Sequence, residues 1–117
     1  MASSHYVNNP AFHEALKERK AMRVAAEDSG SESPQVSNYI GECLLSIAQH
    51  LAHKSNFNNY SFKDEMVSDG IENALRYVDN FNSDKYSNPF AYFTQIIFFA
   101  FLRRIAITKW MHSYTTT

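Results

Sequence analysis

A chain of 117 residues has room for one domain with a real core, and not for two. Three Gly and three Pro argue against a loop-rich all-β fold, while a single cysteine, Cys43, excludes an internal disulfide and suits a reducing, intracellular setting. The formal charge of −1 excludes attachment to nucleic acid by net charge alone, yet it hides an asymmetry. Over residues 61–84 the acids are Asp64, Glu65, Asp69, Glu72, Asp79 and Asp84, against Lys63 and Arg76; from Lys85 onward Lys85, Arg103, Arg104 and Lys109 meet no acid. An acidic surface and a basic surface on one small domain imply two different partners.

The opening residues are polar and carry no signal peptide. The longest unbroken apolar run, 96–102, falls short of the ~20 residues that span a bilayer, so a cytoplasmic protein is expected. Asn9 and Pro10 start a first helix as cap and first-turn residue, running to about Ala26. It is highly charged, and its apolar stripe is thin: Phe12 and Leu16, extended by Met22, Val24 and Ala25. The pattern predicts an exposed or loosely docked helix. Residues 28–33 have the composition of a flexible linker.

Ser33 and Pro34 open a second helix. Val36, Ile40, Cys43, Leu44, Ile47, Leu51 and Ala52 keep a three-four rhythm, which predicts a core helix with Cys43 inside it. His50 and His53 lie one turn apart but lack the further ligands of a metal site, so no metal and no cofactor is expected. Residues 56–60 read as a turn. Ser61 caps a third helix with Asp64 in a capping-box-like position. Its apolar face is Val67, Ile71, Ala74, Leu75 and Val78. Glu65, Asp69 and Glu72, spaced by four and three, share its other face. Such a run is most often a solvated surface. A polar connection, 80–88, holds Phe81 and Tyr86.

The last helix begins at Asn88 and Pro89 and runs at least to Ile105. Phe93, Ile97, Ala100, Phe101 and Ile105 form one apolar stripe. Tyr92, Ile96, Phe98, Phe99 and Leu102 point in other directions, and Arg103 and Arg104 follow. Two explanations compete: a central core helix surrounded by the others, or a helix with a second, exposed aromatic face. Flat rings beside arginines suit unpaired bases and a phosphate backbone. The tail from Trp110 is expected to fray. No Ser/His/Asp or Cys/His arrangement and no phosphate-binding Gly-rich loop has recognisable context, so an enzyme is not expected.

Residues 38–105 resemble conserved region 2 of bacterial sigma factors, and are closest to the late-transcription sigma factors of T4-type bacteriophages. The run 44–51 is similar to the first region-2 helix. The run 69–81, closing on Asp79, Asn80 and Phe81, looks like the acidic polymerase-binding helix. The run from Phe90 to Gln95, continued to Arg103, Arg104 and Ile105, resembles the helix that reads and melts the promoter −10 element. The opening Tyr6, Val7, Asn8 and Asn9 are similar to the phage late subgroup. The resemblance implies an all-α fold: a compact three-helix bundle over 34–117, preceded by an extra, mobile N-terminal helix and linker over 1–33. It implies that Glu65, Ser68 and Asp69, with Glu72 on the same face, bind the coiled coil of the polymerase largest subunit. Tyr92 matches the tyrosine that stacks on a flipped adenine, and Phe99, Leu102 and Arg103 match the face at the upstream edge of the element. Arg104 lies on the same basic end, and Gln95 and Ile96 stand where host factors carry tandem tryptophans.

The implied function is a sigma-like initiation factor that binds host core RNA polymerase and opens an AT-rich −10-type promoter in an infected bacterial cell, with a late co-activator as helper. The sequence shows no hydrophobic-acidic tail of the kind that binds the sliding clamp, so the clamp is not an expected partner, and no −35 module. The alternative is a phage adaptor or inhibitor that docks on polymerase in the same way without opening promoters. A third alternative is an interaction bundle whose aromatics are simply core.

Overall fold

A computed structural model describes residues 6–54, 57 and 60–115, with side chains described through Lys109. The chain is an all-α bundle of four helices, with no strand among the described residues: α1 (Asn9–Asp28), α2 (Asn38–Ala52), α3 (Lys63–Arg76) and α4 (Pro89–Thr115). A single 3-10 turn, Val78–Asn80, lies between α3 and α4. The turn expected at 56–60 falls largely outside the described residues; Phe57 is described, and it is buried with its ring edge-on to Phe98 and Phe101.

α4 is the axis of the bundle. Phe93, Ile97 and Phe101 have no exposed surface, and Ala100 is buried with them. Measured by length and composition, Pro89–Lys109 is apolar enough to cross a membrane, with a mean hydropathy of 1.5, where counting only the unbroken run gave a shorter stretch. Its inner face is the surface on which the other three helices pack, and a central core helix has that composition. The helix continues to Thr115, through the tail expected to fray.

α1 departs from its expectation. It is firmly docked, although Met22 and Val24 are exposed. Phe12 and Leu16 are buried, and the Phe12 ring lies 5.6 Å from that of Phe93. The remaining hold is polar. Arg19 donates through Nε and Nη2 to the Asp79 carboxylate at 2.8 and 3.2 Å, and through Nη1 to the Pro34 carbonyl at 2.8 Å. Lys20 reaches Asp84 at 2.9 Å, and that hydrogen bond holds the Asp84 carboxyl below the usual range. His13 Nε2 donates into the Ser83 and Tyr86 carbonyls at 2.8 and 2.9 Å. A thin apolar stripe understates a helix held in large part by ion pairs.

Helix ends are set one to several residues from their predicted places. Asn8, not Asn9, caps α1, accepting from the Ala11 amide at 3.1 Å. Asn9 turns instead to α4: its Oδ1 accepts from the Phe90 amide at 3.0 Å, and its Nδ2 donates to Asn88 Oδ1, which caps α4 through the Ala91 amide. The starts of the first and last helices are thereby clasped together. α1 ends at Asp28 with Ser29 as its C-cap, followed by Gly30, whose φ of 75° is the left-handed conformation that closes a helix end. Ser37, not Ser33, caps α2. α3 has no side-chain cap at all, starting at Lys63 behind Phe62, so the Ser61 and Asp64 capping box does not form.

The buried face of α3 is also rotated from the predicted one. Ala74 and Val78 are buried as expected, and Met66 and Gly70 are buried with them; Val67 and Ile71 are only half-buried, and Leu75 is 41% exposed. Gly70 explains the rotation. A Cβ there would lie 2.8 Å from Ile97 Cγ2 and 2.9 Å from Phe101 Cε1. α3 meets the large side chains of α4 with its smallest residues, which brings the two helices close and turns Leu75 outward. On α2 the expected face is buried as drawn, with Ile40, Cys43, Leu44, Ile47, Leu51 and Ala52 in the core and Val36 packed half-buried at its edge.

Candidate binding faces

At about 100° per residue, Tyr92, Gln95, Ile96, Phe99, Leu102 and Arg103 fall within roughly 120° of arc on α4. That arc faces away from the core. Gln95 and Arg103 are exposed, and so are Phe99 (47%) and Leu102 (41%), while Tyr92 and Ile96 are half-buried along one edge. Arg103 makes no ion pair among the described residues. The face is therefore apolar and aromatic, with a free guanidinium near its C-terminal end.

Tyr92 is less free than its sequence position implied. Its ring meets Phe81 edge-on at 5.1 Å and Phe93 at 4.9 Å between centroids. Burial, with Tyr77 and Tyr86 nearby, pushes its phenol up from the ordinary value. The other side of the ring borders an open hollow of about 420 Å³ at the start of α4, lined by Lys85, Tyr86, Asn88 and Gln95 among others. Lys85 Nζ stands 5.4 Å from the centre of the Tyr86 ring. Two tyrosine rings, an ammonium and an amide thus surround a space of the right kind for a planar polar ligand.

On α3, Glu65, Ser68 and Glu72 are exposed together, and Leu75 extends their side of the helix. Asp69 behaves differently. Arg104 donates to it through Nε at 2.6 Å and Nη2 at 3.0 Å, a two-pronged pair that raises the guanidinium pKa further. Glu72 is only loosely paired, with Arg76 at 3.7 Å. The residues predicted for two separate faces are therefore joined: one acid of α3 and one base of α4 hold each other. Sequence spacing ties residues within one helix, and a contact 35 positions apart gives no such signal. Asn9, His13 and Gly70, which build the support beneath these faces, were equally silent.

The groups weighed for chemistry take structural places. Cys43 is buried, and burial pushes its thiol pKa up, away from a reactive thiolate. His50 stacks on Tyr6 at 3.7 Å and bonds the Ser46 carbonyl through Nδ1; His53 does the same with Gln49. Among the described residues no three His, Cys, Asp or Glu are placed to hold a metal. The fold and faces define a small helical domain with an aromatic-basic helix surface beside an acidic one. Neither a protein-family model nor a curated protein sequence matches the chain.

Proposed function

We propose that this chain is a sigma-like transcription initiation factor. It docks on the largest-subunit coiled coil of host core RNA polymerase through Glu65, Ser68, Asp69 and Glu72 of α3. It captures non-template bases of an AT-rich −10-type promoter on the outer face of α4. The observation that carries this proposal is the outer face itself: Gln95, Phe99, Leu102 and Arg103 are exposed on a helix whose opposite side is the centre of the core. Exposed rings offer unpaired bases a stacking surface worth ~1–3 kcal/mol per base, which offsets the cost of unstacking them. Arg103 supplies a phosphate contact. Polymerase supplies most of the attachment, because the chain carries a net charge of −1. Such a factor works in the cytoplasm of an infected bacterium, with a late co-activator as its helper.

The test is promoter-directed transcription with purified core polymerase, run on a duplex promoter and on one already mispaired over its −10 region. Opening of the duplex is the expected result. One observation favours the adaptor or inhibitor reading instead: Gln95 is exposed and polar and Ile96 is half-buried, so no large aromatic wedge stands at those positions. Polymerase binding without opening of either template would establish that second reading. Absence of polymerase binding would remove both. The charge reversal Glu65→Lys with Glu72→Lys should weaken docking strongly at unchanged helicity, since juxtaposed like charges at an interface cost several kcal/mol.

A further inference from the structure

We propose that the cleft between α3 and the C-terminal half of α4 is a latent phosphodiester site. Arg103 and Arg104 are its ligands, and Asp69 is the internal anion that closes it until a cationic partner engages Asp69. The inference rests on the reading of α4 as a nucleic-acid-binding helix. Its basis is the geometry of the pair. Arg104 presents Nε and Nη2 to the two Asp69 oxygens, at 2.6 and 3.0 Å, and that is the fork with which an arginine takes a phosphate. Asp69 occupies the place that a phosphate would take.

The surroundings fit the exchange. The cleft has a volume of about 320 Å³; Arg76 and Arg103 line it beside the pair, with Glu72 and Ile107 at its walls. Arg103 is exposed and adjacent in sequence to Arg104. Both members of the pair are about a third exposed, at 34% for Arg104 and 32% for Asp69, so solvent and partners reach them. A pair this open has little net stability to lose, and exchange of its members is easy. While Asp69 stays in the cleft, its charge and that of Glu72 repel a phosphate. Asp69 also shares its helix side with Glu65, on the acidic face. A basic partner drawn to that face can take Asp69, which leaves Arg104 next to Arg103 as a two-arginine clamp. Binding on α3 and binding on α4 are then coupled, and by linkage each strengthens the other.

The test needs neither polymerase nor promoter. A labelled AT-rich single-stranded oligonucleotide is titrated with the chain by fluorescence anisotropy over a series of salt concentrations. Asp69→Asn should bind several-fold tighter than the wild type, with a log–log salt slope steeper by about 0.7, the value for one added phosphate contact on a single strand. Arg104→Gln alone should show no gain in affinity and no steeper salt slope than the wild type. The double variant should lose the whole gain. An equal gain from D69N in the R104Q background would mean that only a general negative charge had been removed, and would overturn the proposal, as would no gain at all. A direct check reads the Arg104 Nε–H resonance: in Asp69→Asn it should move at saturating oligonucleotide, while in the wild type, where Asp69 still holds Arg104, it should not, and an unmoved signal in Asp69→Asn counts against the site. Since transcription is not measured here, a failure of this site and a failure of the sigma-like reading are separately visible.

Discussion

The two sides of α4 share a composition and have opposite fates. Inside, Phe93, Ile97 and Phe101 are fully buried; outside, Phe99 and Leu102 are more than two-fifths exposed. A helix that is apolar all round is ordinarily enclosed. Here α1, α2 and α3 all pack on one side, so enclosure stops halfway. Residue type decides what a helix can bury, while the number and placement of neighbours decide what it does bury. An apolar patch left open and rimmed by Gln95 and Arg103 is the surface available to a partner.

The sharpest way to test that division is to cut into the inner side. Phe101→Ala should cost ~3–5 kcal/mol, measured by urea unfolding. Phe12→Ala should cost the same, despite its place on a highly charged helix, because its ring is buried against Phe93. A loss at Phe12 well below that range would restore α1 to a loosely attached segment. Next in size is Gly70→Ala. Its new methyl meets Ile97 and Phe101 below 3 Å, and overpacking of this kind costs ~1–3 kcal/mol. That exceeds the ~0.5–1 kcal/mol gained by replacing a helical glycine. A stabilised G70A variant would show that α3 and α4 are not held at this spacing.

These elements also mark how far the sequence could be read. The inner stripe of α4 and the core face of α2 were legible because both repeat at helical spacing with large apolar residues. The buried face of α3 was legible only in part: Ala74 and Val78 were expected in the core and are there, but the close approach at Gly70 was not, because a glycine carries no hydrophobic signal. α1 was underread because Arg19, Lys20 and His13 find their partners some 60 to 70 positions away. Spacing on α4 separated the inner stripe from Tyr92, Ile96, Phe98, Phe99 and Leu102 but left open whether these were exposed; the resemblance singled out the face, and Phe98 lies half-buried against Phe57. The bond between Asp69 and Arg104 could not be read, since it depends on how two helices come to lie side by side.

Tyr92 sits on the border between the two sides, and its substitution should give an intermediate loss. Each edge-on contact with Phe81 and Phe93 is worth ~0.5–1.5 kcal/mol beyond the area it buries. Tyr92→Ala should therefore destabilise measurably, where its position in the sequence implied almost no cost. Any loss of promoter opening in that variant is meaningful only at a temperature where it remains folded. Destabilisation as large as that of Phe101→Ala would move Tyr92 into the core and narrow the outer face to the residues from Gln95 onward.

The smallest effect on stability, and the clearest on function, should come from Phe99→Ala combined with Leu102→Ala. Both side chains leave the core untouched, and surface substitutions of this kind stay within about 0.5 kcal/mol each. For a domain near this size, the pair should together shift Tm by no more than about 8 °C. Oligonucleotide binding should respond on another scale. Loss of even one stacking contact worth ~1–3 kcal/mol lowers affinity by about five-fold to more than a hundred-fold. The two readouts separate the two sides of the helix. A Tm loss like that of Phe101→Ala would mean that the outer face is buried in solution, against a second copy or a partner, and that loss would depend on protein concentration. Unchanged Tm with unchanged binding would leave the exposed rings without a role in nucleic-acid capture. Unchanged Tm with weakened binding is the outcome that only a stacking surface produces.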